Sequence, residues 1–362
     1  MFSETTEELL LFLEHSKERS CSVVVMPDFF LDRFISYEGD VKDFHKSVSD
    51  IAGRKGGSIN GIGQMDFRGG NAANTAAALA VLGAKVYPII HTSSLGLTLL
   101  NHYLQPYNVD LSYVKADGET SITTAIELTH RKEKVNVMLR DLGSLAKFSS
   151  SDFTLRDYQL LEKADYVCVF NWAGTRRYGT ELAQTIFSHV KKKGKGKTYY
   201  DTADPTPNKG KISTLMKTVL STNIVDILSV NENEAIQYAS QLDHKKIEEL
   251  QKNMRLDELA KECARILAQN LSARIDLHAT TYAGTFTKSK ETIVPALKVP
   301  VKRITGAGDA WNAANLYADA NKFSDSHRLG FANAIAAYYI SNRRPEHPTS
   351  AQLKMFIQNY QN

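Results

Sequence analysis

Six short stretches rich in β-branched and aromatic residues recur along this chain, most of them followed by a helix-like segment. They are CSVVVM (21–26), AKVYPII (84–90), ADYVCVF (164–170), KTYYDTA (197–203), VDILSV (225–230) and IDLHATT (275–281). Runs this short suit strands buried on both faces. Strands that alternate with helices build a parallel sheet covered on both sides. The pattern therefore predicts an α/β fold with a doubly wound, mostly parallel sheet flanked by helices. Helices are expected over 71–85, where the Ala/Leu-rich NAANTAAALAVLGAK ends near Gly83, and near 179–193 and 254–270. Three more are expected at 308–321, 325–341 and 349–360. The first twenty residues read as an amphipathic helix, because acidic residues precede their apolar run where a signal peptide needs positive charge.

Two segments break the rhythm. Residues 33–68 and 111–141 carry polar, strand-like pieces, and the second reads as a hairpin turning at HRKEK. Antiparallel strands inserted in this way predict a small lid beside the active site of a single domain spanning 1–362.

With 362 residues, 43% hydrophobic and 23% charged, the chain can bury a sizeable core. A formal charge of +4 suits an anionic small molecule and is far from a nucleic-acid-binding composition. Cys21, Cys168 and Cys263 are too scattered for a disulfide framework or a zinc site, and no apolar run approaches the ~20 residues of a membrane span. No membrane or nucleic-acid partner is expected, and the expected location is cytoplasmic. KGKGKT (193–198) lacks the first glycine of a P-loop and precedes a strand, so it reads as a solvated basic turn.

Chemistry is suggested by TGAGDAWNAA (305–314). Gly306-Ala307-Gly308 opens a helix, and a helix N-terminus carries unpaired N–H groups and a positive dipole end. Bare backbone there admits a phosphate, and the neighbouring Asp309 makes sense as the acceptor of a hydroxyl proton. Taken alone, the stretch reads as well as a glycine turn before a favourably placed acid. RGGNAANTAAALAVLGAK (68–85) offers a second glycine-led helix, with Asn71 and Asn74 near its start, where carboxamides can meet sugar hydroxyls. In SVNENEAIQYA (229–239), Asn231 and Glu234 stand three apart at a helix start, which is also the spacing of an ordinary cap.

Together these stretches resemble the PfkB family of carbohydrate and nucleoside kinases, the ribokinase-like kinases, over about residues 22–345. GGNAANTAAALAVLG matches the N-terminal signature, TGAGDAWNAA the C-terminal one, and NENE the NxxE motif between them. The resemblance implies a ribokinase-like kinase that transfers the terminal phosphoryl group of ATP, or of ADP, to a hydroxyl of a sugar, sugar phosphate or nucleoside. It makes Asp309 the catalytic base and Gly306, Ala307 and Gly308 the anion hole. Asp32, Gly69, Gly70 and Asn74 would hold the acceptor. Asn231 and Glu234 would organise Mg2+ around the nucleotide, Glu234 through water, while Gly284 and Asn333 would lie on the nucleotide side. It also implies a homodimer through the lid. Arg303 and Ile304 replace the family's frequent Asp-Thr, which argues against a potassium site, and ATTYAG (279–284) keeps only Gly284 of a TxGxxG loop. Arg176 and Arg177, after a strand end, are candidates for reading a substrate phosphate, as are Arg68 and Arg140. The rival reading is a non-catalytic sugar- or nucleotide-binding regulatory protein on the same fold; loss of Asp309 would have favoured it.

Overall fold

The computed structural model describes residues 20–105, 107–131, 133–303 and 305–361. The expected N-terminal helix and Ile304 lie outside the described residues, apart from Ser20 at the end of the former. In chain order the strands are β1 (Ser22–Met26), β2 (Phe30–Asp40), β3 (Gly63–Gly69), β4 (Lys85–Pro88), β5 (Ser121–His130) and β6 (Glu133–Asp141). They continue with β7 (Tyr166–Phe170), β8 (Lys197–Asp201), β9 (Ile227–Val230), β10 (Arg274–His278), β11 (Tyr282–Phe286) and β12 (Glu291–Pro295).

Eight strands form the main sheet in the order β12-β11-β10-β9-β8-β7-β1-β4. From β4 to β10 every pairing is parallel, and β11 and β12 are added antiparallel at the edge. The apolar runs of the sequence are the parallel strands. Val23 and Val25 face one core layer and Val24 and Met26 the other, so β1 is buried on both sides and its sequence need not alternate. Of the segment 279–284, residues 279–281 form the turn between β10 and β11, and 282–284 belong to β11.

Four strands, in the order β3-β2-β5-β6, make a separate sheet, the lid. Its strands begin at Phe30 and Ser121, where the sequence suggested edges at 33 and 111. β5 and β6 form the hairpin, with Arg131 at φ +50° in its turn. One element of this insertion was missed, as were the helices Ser94–Leu104, Leu155–Lys163 and His244–Asn253 of the main body. Val41–Gly53 is a helix, capped by Asp40, whose side chain accepts from the backbone N–H groups of Lys42 and Asp43. The signal was present as an Asp N-cap followed by Val41, Phe44, Val48 and Ile51 at helical spacing.

Two helices set the site. Asn71–Val81 is buried along nearly its whole length, and its alanines share a core layer with Ala310, Ala313 and Ala314 of the helix Ala307–Ala320. Side chains this small let the two backbones approach closely. The second helix is held by a buried ionic network. Arg328, on the helix Asp325–Ile340, is 1% exposed and donates to Asp276 of β10 at 3.1 Å and to Asn315. Asn315 also donates to Asp276, at 2.8 Å, which locks strand and both helices together. Among the described residues no helix is long and apolar enough to cross a membrane, and the three cysteines are buried and free.

Without Arg328, Asp276 keeps Arg274 at 2.9 Å as a counter-charge but loses a buried, charge-assisted bond, and Asn315 loses a donor. Arg328→Ala is expected to lower unfolding free energy by about 1.5–3 kcal/mol, measured by urea titration. A loss below about 1 kcal/mol would mean that the network is not what fixes the helix.

Candidate active site

Both site helices present their N-termini to one cavity of about 280 Å³ between the main sheet and the lid. Gly306 is the N-cap of the helix Ala307–Ala320 at φ +90°, and a Cβ there would lie 2.5 Å from the Tyr339 hydroxyl. Only glycine meets both conditions. The first N–H to find an intrahelical acceptor is that of Ala310, on Gly306 O at 3.1 Å. The N–H groups of Ala307, Gly308 and Asp309 have no acceptor within the helix.

Asp309 is 5% exposed. Its two carboxylate oxygens accept from Asn71 Nδ2 at 2.7 Å and Asn74 Nδ2 at 2.9 Å, and Arg68 Nε donates to Asn74 Oδ1 at 3.1 Å. Burial pushes the Asp309 carboxyl up to about 7, against the opposing pull of the two amide donors. An acid with that value exchanges a proton near neutrality.

The floor of the cavity holds a carboxylate that the sequence reading missed. Asp28 follows β1 and is fully buried. It accepts from the backbone N–H groups of Asn71 and Ala72, each at 2.9 Å, and from Asn171 Nδ2 at 2.8 Å. It thus caps the Asn71 helix from outside the helix. Gly70, at φ +93°, has no room for a Cβ, which would lie 2.9 Å from Asp28 O. Burial raises the Asp28 carboxyl above its ordinary range. The available signal was an acid two residues after the apolar run Val23–Met26, across Pro27.

Asp32 enters the cavity from the lid, opposite Thr123 of β5, which stands opposite Arg140 of β6. Burial raises its carboxyl too, while the Thr123 hydroxyl bonded to it opposes the shift. Gly69 is the lid's contact with this group, because a Cβ there would collide with the Asp32 carboxylate. Phe34, Ala125 and Met138 supply the apolar part of the roof.

The remaining candidates lie elsewhere. Asn231 caps the helix Glu232–Leu242 at the end of β9, and its Nδ2 donates to Glu234 Oε1 at 2.8 Å. Glu234 is 2% exposed, and burial, reinforced by the charge of Asp201, pushes its carboxyl well above the usual range. Gly284 sits mid-strand in β11, paired with Leu277 and Ile293. The Asn333 amide donates to Pro295 O at 3.0 Å and accepts from Trp311 Nε1 at 3.0 Å, so it staples helix to strand. Arg176 lines a second cavity adjoining the first, whereas Arg177 lines a separate one beside Lys147 and Glu181. Arg68 is engaged with Asn74. Trp172 fills the core and donates to Thr180. His278, which no pattern suggested, packs 3.4 Å from where a Gly308 Cβ would stand and against the Trp311 ring.

A doubly wound sheet with a strand lid over a buried carboxylate at a helix N-terminus defines a class of small-molecule kinase, and the comparisons agree. The family model described as pfkB family carbohydrate kinase matches residues 64–351, so the chain belongs to that family and is a carbohydrate or nucleoside kinase. No curated protein matches the sequence. Solved structures share the ribokinase-like fold. Ribokinase from Arabidopsis thaliana, complexed with ribose and ATP, superposes with a TM-score of 0.70 at 17% identity, covering 94% of this chain and 99% of that one. Adenosine kinase from Sinorhizobium meliloti gives 0.69 at 15%, covering 94% and 99%. An E. coli protein assigned as ribokinase II, complexed with ATP and Mg2+, gives 0.71 at 14%, covering 94% and 100%.

Because the folded protein holds a proton on Asp309 that the unfolded chain gives up near pH 4, this group costs stability as pH rises from about 4 to about 7. Asp309→Asn removes that cost. The variant should gain stability over the native protein progressively across that window, by up to about 4 kcal/mol, read from urea unfolding at a series of pH values. A difference that does not change with pH would contradict the raised acidity constant.

Proposed function

We propose that the protein transfers the terminal phosphoryl group of ATP, or of ADP, to a hydroxyl of a sugar, sugar phosphate or nucleoside, with Asp309 as the base. The observation that carries this reading is a single cavity holding Asp309, the open helix N-terminus at Gly306–Gly308 and the polar side chains of Asp32 and Asn74. The acceptor lies between Asp32 and Asn74, its reacting hydroxyl turned to Asp309. Asp309 takes the hydroxyl proton as the oxygen attacks phosphorus, and the free N–H groups at Ala307 and Gly308 stabilise the charge on the transferring group. Asn71 and Asn74 fix the carboxylate's orientation. The lid excludes water, so that the hydroxyl and not water is phosphorylated.

Magnesium fits the residues on the nucleotide side. Burial and then the charge of Asp201, with Asp204 and Glu232 adding to the repulsion, raise the Glu234 carboxyl well above the usual range, and a divalent cation would offset that repulsion. Two carboxylates plus phosphates and water are what Mg2+ ordinarily accepts. Bound there, it would neutralise charge on the nucleotide phosphates. Glu234 would reach it through water, with Asn231 holding the Glu234 carboxylate in place. Gly284 and Asn333 then contribute by packing the nucleotide side. A cytoplasmic homodimer pairing through the lid completes the proposal.

Asp309→Asn should leave a folded protein whose turnover, measured as nucleotide release over a panel of sugars, sugar phosphates and nucleosides, falls by about 10²–10⁴-fold. A folded variant keeping a tenth of native turnover would exclude the general base. In the native enzyme, activity should rise with pH through about 7 as Asp309 ionises.

Mg2+ removal by chelation should abolish turnover. Potassium should add little over sodium, because the Arg303 guanidinium already stands 5.2 Å from the Tyr339 ring, behind Gly306. Strong activation by potassium would overturn that expectation.

A further inference from the structure

The 280 Å³ cavity is not closed at its outer end. Asn71, Asn171 and Arg140 also line the second cavity, of about 320 Å³, so the two form one continuous cleft. Each volume lies near the lower bound of the ~300–1,000 Å³ usual for small-molecule sites, and together they fall within it. The two ends differ in charge. Asp28, Asp32 and Asp309 crowd the inner end, and the outer end brings together Arg140 from the lid and Arg176 from the loop after β7. Among the described residues neither guanidinium donates a hydrogen bond to the protein; Arg140 lies over the Phe30 ring at 5.0 Å and within electrostatic reach of Asp28 and Asp32. Asp204, which also lines the outer end, is occupied by Thr206 and Asn233.

Resting on the kinase reading above, we infer that the acceptor carries an anionic group, a phosphate or a carboxylate, at the end remote from its reacting hydroxyl, and that Arg140 and Arg176 bind that group from opposite walls of the cleft. A neutral sugar or nucleoside would leave Arg140 with only the inner carboxylates Asp28 and Asp32 as counter-charges and would offer the Arg176 guanidinium none. An anionic acceptor supplies the planar or tetrahedral oxygens that guanidinium forks recognise. Arg177 and Arg68 take no part, since one lines a different cavity and the other is engaged with Asn74. Because Arg140 rides on the lid and Arg176 on the main body, the same anion bridges the two and favours lid closure.

The test compares matched acceptors with ATP and Mg2+: neutral sugars and nucleosides against their monophosphates and their aldonic or uronic acids. The native enzyme should use an anionic member with a KM at least about tenfold below that of its neutral counterpart. Arg140→Gln and Arg176→Gln should each raise that KM by about 10- to 150-fold, with little change in the KM for ATP. Preference for the neutral member, or an effect confined to the KM for ATP, overturns the inference.

A second measurement does not depend on turnover. Inorganic phosphate titrated into the nucleotide-free protein should raise Tm, and the double variant should lose most of that rise. An equal rise in both proteins overturns the arginine site even if the kinase is active. If no acceptor is turned over but the phosphate effect needs both arginines, the kinase reading fails and the anion site stands.

Discussion

Everything at this site hangs on one carboxylate shared between two helix starts. Asp309 belongs to the helix Ala307–Ala320, yet both its oxygens are held by Asn71 and Asn74 at the start of another helix, more than 200 residues earlier in the chain. The pairing needs the two helices in near contact, which their alanine faces provide. It also needs both N-termini aimed at the same place, which Asp28 enforces for one and the Arg328–Asp276–Asn315 lock for the other. A buried carboxylate with two amide donors has a fixed orientation but an uncomfortable charge, and that discomfort is what makes it basic enough to accept a proton near neutral pH.

The acids of the cleft divide the work by environment. Asp28 is bonded to two backbone N–H groups and an amide and serves the architecture. Asp32, set in the lid beside a threonine hydroxyl, faces the cavity that also holds Asp309. Glu234 is absent from the lining of the Asp309 cavity and has its own acidic neighbours. The placement of glycine follows from these carboxylates: Gly69 and Gly70 exist because Asp32 and the backbone of Asp28 come too close for a side chain.

The parallel strands were legible because burial on both faces demands unbroken apolar runs, and the signature helices because their small residues are unusual in bulk. What escaped was local or long-range. The helix Val41–Gly53 hides in a polar insertion where strands seemed the simpler choice, although its cap and spacing were there to read. The start of β11 looked like loop because TTYAG carries little hydrophobic signal until β10 pairs with it, and β12 was given no reading. Asp28 and Asn171 owe their partnership to folding alone, being 143 residues apart. The two-residue run Arg176-Arg177 could not reveal that its members part company, one to the cleft and the other to a separate cavity.

The join between lid and body has a consequence for recombination. β3 runs through Arg68, Gly69 and Gly70 straight into the helix that orients Asp309, and each residue of that passage is engaged: Arg68 with Asn74, Gly69 with Asp32, Gly70 with Asp28. By contrast the stretch from Asp40 to Gly63 contains a helix with no buried residue and glycines with open space around them. A chimera that exchanges lid material with a relative therefore has a natural seam inside that stretch, while a junction at the double glycine would cut through the contacts that hold Asp32, Asp28 and Asn74 in place.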